Sequence, residues 1–272
     1  MSHQNDRTKT RLLKAAKSHY RVFIRDTSNS IPCIVMIFSI MLSVQIKAQM
    51  ECQNPSTHRE KISTKTRAIK IELFSWAQRK EWKEKSFSGH THYTFQHPTL
   101  TDTSALDQSL NRFLLKADAD NSASGLVRKT RINLHQTPWL NWRWKVNSNI
   151  PRQIDETSKQ GDDYAARVYL IVDGGLQFWK SRAINYVWAK EQAPGNFWPN
   201  PFTGNKSMML ALRNDSNPGE VWVWEKRNVC EDLNRVFGEQ IRYIDAIAIM
   251  TDTDNTRGSA SAYYRDMFFS SD

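Results

Sequence analysis

Thr251-Asp252-Thr253-Asp254-Asn255-Thr256 places two carboxylates two residues apart, followed by a carboxamide and flanked by hydroxyls. Such hard oxygens suit calcium. The spacing is not that of an EF-hand loop, because Gly258 comes one position late and Tyr263 stands where a bidentate Glu belongs. A solvated turn held by Asx hydrogen bonds is the competing account. His90-x-His92 puts two imidazoles on one strand face, but no third spaced ligand supports zinc. Asp163 lies in Gly161-Asp162-Asp163-Tyr164, and Arg167 falls inside the apolar run that follows. Arg227 and Asn228 close a run containing Trp222 and Trp224. Unpaired burial of a charge is costly, so Arg143, Arg167 and Arg227 are expected either to pair with Asp163, Glu225 and Asp252 or to face a ligand. Trp188, Trp198 and Trp224 offer flat apolar faces to a glycan. Two of Asp163, Glu225, Asp252 and Asp254 could serve glycoside hydrolysis, which needs two carboxylates at a separation that sequence does not set. There is no G-x-S-x-G, P-loop or dinucleotide fingerprint. Binding therefore stands ahead of catalysis.

The elements that must position these groups read as short strands. In Ile244–Met250, Ile247 and Ile249 point one way and the small Ala246 and Ala248 the other, which leaves room for a hollow on the small-residue face. Continued in the same register, Asp252 and Asp254 would stand at the end of that hollow. The acidic turn then leads into Tyr263–Phe269, and the two runs read as a hairpin with Phe268 packed inward. Ile69–Trp76, Phe87–Gln96, Asn111–Asp118, Gly125–Leu134, Trp139–Val146, Ala165–Val172, Ala183–Ala189, Ser207–Leu212 and Val221–Arg227 supply further strands. Ser104–Leu115 and Asp232–Phe237 could each hold a helical turn or two. Many short strands with turns between them imply an all-β, antiparallel, jelly-roll-like β-sandwich.

The 272 residues suffice for one substantial core, or at most two small ones. Residues 1–48 hold eight basic side chains against Asp6 and Asp26, and so account for +6 of the formal net charge of +10. The remainder of the chain is unremarkable in charge and shows no basic stripe along the sequence, which argues against nucleic acid. Ile31–Val44 is short for a membrane span but fits a secretory h-region with cleavage after Ala48. The division expected is a basic leader with a signal-peptide-like segment over 1–48, a linker over 49–68 and one β-sandwich domain over 69–272. The mature chain would then be periplasmic or secreted and carry no membrane span; an uncleaved N-terminal anchor is the alternative. Cys33 would leave with the leader. Cys52 and Cys230 remain, as a disulfide or as two free thiols.

From Trp142-Arg143-Trp144-Lys145-Val146 onward the chain resembles a bacterial family known as domain of unknown function 3047. The likeness continues through Gly161–Tyr169, Asn185-Tyr186-Val187-Trp188, Glu225-Lys226-Arg227-Asn228-Val229 and Thr251–Thr256, and covers roughly Leu73 to Phe269. It implies an exported bacterial protein with a single β-rich domain, and no activity. Tyr264-x-Asp266-x-Phe268 is also similar to the last strand of galactose-binding-like jelly rolls. That second likeness implies that Asp266 helps to hold a structural calcium, for which Asp252 and Asp254 of the acidic turn are the other candidate ligands. The expected function is recognition of a glycan or other polar cell-envelope molecule by Asp252, Asp254, Asn255, Arg227, Asn228, Asp163, Arg167, Trp188 and Trp224. A carboxylate-dependent glycan hydrolase and a structural envelope protein without a ligand are the alternatives.

Overall fold

The structure, a computed structural model, describes residues 68–97, 112–148, 150, 154–175, 180–215 and 220–272. The leader, Cys52, nearly all of the linker and most of the Ser104–Leu115 segment lie outside the described residues. Strands β1 (Lys70–Glu72), β2 (Lys83–Ser88), β3 (His92–Gln96), β4 (Leu114–Asp120), β5 (Ala123–Asn133) and β6 (Trp139–Ser148) come first. They are followed by β7 (Arg167–Val172), β8 (Arg182–Trp188), β9 (Phe197–Asn200), β10 (Gly204–Arg213) and β11 (Val223–Asn228). Helix α1 (Val229–Phe237) precedes β12 (Tyr243–Asp252) and β13 (Ser259–Ser270). The expected strand Ile69–Trp76 shrinks to β1 and gives way to a 3-10 helix over Trp76–Glu81.

Among the described residues the strands form two sheets. One has the order β11-β6-β13-β4-β3, with β1 beside the second half of β13; the other runs β2-β5-β12-β7-β8-β10-β9. Pairing is antiparallel except between β8 and β10, which run parallel. The inner faces make one core. Alternation along β6 sends Trp142 and Trp144 inward, where Trp142 stacks on Tyr186 at 5.5 Å and Trp144 meets Trp188 edge-on at 5.8 Å. Ile247 and Ile249 join that core, as their spacing predicts. The protein is thus a two-sheet, jelly-roll-like β-sandwich. No helix among the described residues is long and apolar enough to cross a membrane.

The acidic turn does not close a hairpin. β12 belongs to the seven-stranded sheet and β13 to the six-stranded one. The same crossing occurs at β2 to β3 and at β4 to β5. Since β5 pairs with both β2 and β12, and β4 with both β3 and β13, a three-stranded ribbon bends from one sheet into the other at a shared corner. Gly89 (φ 60°) and Asn121 (φ 45°) supply the left-handed backbone for the bend. The expected strand Phe87–Gln96 is split there.

Small hydroxyl residues fill the corner, because ladder hydrogen bonds are lost where a ribbon folds over. Thr91 Oγ1 donates to Thr251 O (2.8 Å), and the Thr91 amide donates to Ser124 Oγ (2.9 Å). Thr253 N donates to Ser122 O (2.9 Å). Thr91, Ser122, Ser124, Thr251 and Thr253 are all buried. From the facing sheet, Tyr264 donates its hydroxyl to Met250 O at 3.0 Å.

A second departure lies within β13. Its register slips between Arg265 and Phe268, with Asp266 at φ 54°. The extra residue turns Met267 and Phe269 into the core and Phe268 outward beneath Lys70. Phe269, not Phe268, is the inward aromatic.

Candidate functional site

The corner carries the acidic cluster. Asp163, Asp252 and Asp254 present carboxylate oxygens within 4.8 Å of one another, and among the described residues this is the group with metal-ligand spacing. Asp163 reaches the corner because Gly161 lets the preceding turn close on itself: a Cβ there would sit 2.2 Å from the Asp155 carbonyl oxygen. Asp163 accepts from the backbone N (3.2 Å) and Nδ2 (3.1 Å) of Asn255, and from N (2.6 Å) and Oγ1 (2.7 Å) of Thr256. Its oxygens therefore fix the loop that follows β12.

Arg167 supplies the internal counter-charge. It enters from β7, opposite Met250 of β12, and is buried. Its guanidinium donates to Asp252 Oδ2, to the Asp162 carbonyl and, at 3.0 Å, to the Tyr169 hydroxyl. Burial opposes the charge, but Asp252, Tyr169 and Asp162 around it outweigh that and hold its pKa above the ordinary guanidinium value. Asp162 is raised by burial despite Arg167 and a hydrogen bond from Asn200. Asp254 is raised by partial burial and by the neighbouring Asp163. Beneath the cluster, Lys190 is buried with its Nζ 2.9 Å from Gly161 O, and burial lowers its pKa. Glu156 caps the amides of Lys190, Glu191 and Gln192.

The structure thus brings together Asp163, Arg167, Asp252, Asp254 and Asn255, and sets the other candidates apart. Arg227 pairs in register with Leu140, far down β6 from the corner, and binds Asp232 (2.9 Å). Asn228 is the N-cap of α1, its side chain accepting from Glu231 N, while Gly238 (φ 66°) ends that helix. Trp188 is buried against Trp144 and has no face to offer a ligand. Trp198 packs with Tyr164 and Met209 in a second, smaller cluster. Trp224 lies half-exposed on the outer face of the six-stranded sheet, with Arg143 over its ring. Asp266 sits among Arg112 (3.2 Å), Arg265 (3.5 Å) and Arg143 (3.7 Å), so its position alongside Asp252 and Asp254 as a calcium ligand is taken by Asp163. Of the expected ion pairs, Arg167–Asp252 forms, whereas Glu225 takes Arg213 at 2.7 Å. His90 pairs with Glu84 at 2.9 Å. Cys230, buried in the first turn of α1, is disulfide-bonded.

The hollow expected beside Ala248 exists. A groove of about 540 Å³ crosses the outer face of the seven-stranded sheet, from Phe87 and Lys85 on β2 to Ser207 and Lys206 on β10. Gly125, Val127, Ala248, Met250 and Ile171 make its floor. Small residues on successive strands keep that floor low, and this was the one signal in the sequence that could have extended the hollow beyond β12. Tyr169 stands between the groove and the acidic corner: it lines the one, and its hydroxyl accepts from Arg167 of the other. Asp252 is sealed behind this pair and is not part of the groove wall.

In fold the chain is similar to a family 11 carbohydrate-binding module from Clostridium thermocellum in complex with a β-1,3-1,4-mixed-linked tetrasaccharide (9% identity, 74% of this chain and 94% of that one, TM-score 0.37). It is similar also to the K2 cleaved adhesin domain of Lys-gingipain (11% identity, 74% and 99%, TM-score 0.38). A third such structure is a native family 12 xyloglucanase from Bacillus licheniformis (7% identity, 69% and 100%, TM-score 0.35). No curated protein matches the chain. Residues 80–268 match the family model described as "Protein of unknown function (DUF3047)", and the chain belongs to that family.

Proposed function

We propose that this protein is an exported binding module that holds a glycan in the groove across the seven-stranded sheet without cleaving it. The groove itself carries this reading. Its floor is apolar, and its margins offer the hydroxyls of Ser181, Thr203 and Ser207. That combination suits sugar rings, which present apolar C–H faces and a hydroxyl periphery. The exposed ring of Phe87 stands at one end as a stacking surface. Hydrolysis would need two carboxylates flanking the bound chain. Among the described residues no Asp or Glu lines the groove, and the carboxylates of the corner already have protein partners.

Ala248→Trp tests the assignment, because it fills the floor from a position whose neighbours Ile247 and Ile249 alone face the core. Isothermal titration would use cellohexaose, xylohexaose, oligogalacturonate and soluble peptidoglycan fragments. Wild type should bind at least one of them, and the variant, with an unchanged circular dichroism spectrum, should lose that binding. Binding that survives Ala248→Trp, or no binding to any of these probes, would sink the reading.

A further inference from the structure

Resting on that reading, we infer that the glycan is acidic and lies across the strands as an oligomer. The charged side chains lining the groove among the described residues are Lys85, Arg182 and Lys206, all basic. Lys83 and Lys129 share the same outer face, since they pair in register with Val127 and Ala246. Arg182 donates to the Ser181 carbonyl oxygen at 3.3 Å and has one weak ionic partner, the exposed Glu239 at 3.9 Å. No carboxylate among the described residues pairs with Lys85 or Lys206. Lys85 is instead steadied by the Phe87 ring, 5.5 Å away. A groove with cations at both ends and no anion in its walls is complementary to negative charge.

The placement also sets a length. Lys85 stands on β2, Arg182 on β8 and Lys206 on β10, in the strand order β2-β5-β12-β7-β8-β10. At about 4.8 Å per strand the two ends are roughly 19–24 Å apart along the sheet. A single sugar acid cannot engage both ends at once. An oligosaccharide bearing carboxylates on successive rings can do so, with its rings over the Val127–Ala248 floor and its charges at the margins.

The test compares a galacturonate hexamer with cellohexaose by isothermal titration at low and high salt. It uses wild type, Lys85→Gln, Lys206→Gln and the double variant, with Lys226→Gln as a control on the other sheet. The acidic hexamer should bind at least tenfold tighter than the neutral one and weaken as salt rises. Each Gln substitution should cost about two- to fivefold in affinity, in keeping with exposed charges. The double variant should lose more, the control nothing, and thermal stability should not change. Equal affinity for the two hexamers, or indifference to both Gln substitutions, overturns the charge assignment and leaves glycan binding standing. If neither hexamer nor any other glycan binds, the underlying reading falls with it. A single-stranded oligothymidylate binding as tightly as the acidic hexamer would also overturn the inference, by showing a surface for polyanions in general.

Discussion

Thr91 and Thr251 are 160 residues apart in sequence, yet the hydroxyl of the first donates to the carbonyl of the second at 2.8 Å. Their contact marks where a ribbon of three strands leaves one sheet and enters the other. No β-ladder can run through such a bend, so side-chain hydroxyls take over the buried backbone acceptors. Thr91→Val keeps the shape of the side chain and removes that donor. Leaving the Thr251 carbonyl without it should cost about 1–3 kcal/mol, read as a lower urea midpoint at constant slope. A midpoint equal to wild type would mean that the corner does not depend on this contact.

Arg167 should be the most sensitive charged position in the domain. It is fully enclosed, with Asp252 and the Asp162 carbonyl as partners. Removing one member of a buried pair typically costs about 3–5 kcal/mol, so Arg167→Met should lower the thermal midpoint strongly. Arg167→Met with Asp252→Asn should recover part of the loss, because the carboxylate that binds the guanidinium most directly is then neutral. The same substitution bears on calcium. In wild type the guanidinium already supplies positive charge inside the Asp163–Asp252–Asp254 group, so calcium or its chelation should leave the midpoint unchanged. In Arg167→Met the three carboxylates lack a counter-charge, and calcium should raise the midpoint. A calcium-dependent rise in wild type would show that the ion shares or displaces the site of the guanidinium.

The carboxylates of the corner also set a pH dependence. Asp162 and Asp254 have pKa values raised above their ordinary 3.8, mainly by burial. A group with a raised folded-state pKa binds its proton better in the folded chain. Its stabilising effect is complete below 3.8 and fades as pH climbs through the raised value. This part of the stability should therefore be greater near pH 4–5 than near pH 8. Asp254→Asn removes one such group, so the thermal midpoint of the variant should fall less than that of wild type over this range. Parallel pH profiles for the two proteins would exclude Asp254 as a contributor.

Alternation along the chain is enough to read the strands of a sandwich, because it is a local property. Ile247 and Ile249 against Ala246 and Ala248, and Trp142 and Trp144 against Arg143 and Lys145, sort their side chains by a period of two whatever the strand's partners are. The same alternation foretold a hollow beside Ala248, but it set Asp252 and Asp254 at the mouth, and neither carboxylate lines the groove. What local pattern cannot carry is which sheet a strand joins. Ile244–Phe269 has the hydrophobicity of a hairpin, yet β12 and β13 separate, because their hydrogen bonds go to β5 and β7 on one side and to β4 and β6 on the other. One added residue at Asp266 reversed the facing of Phe268 and Phe269, and backbone register leaves no mark on composition. Arg227 and Asp252 looked like neighbours, since each ends an apolar strand; antiparallel order put them at opposite ends of the molecule. The groove belongs to tertiary structure for the same reason: Lys85, Gly125, Ala248, Ile171, Ala183 and Ser207 come from six strands, and only hydrogen bonding between those strands lays them side by side.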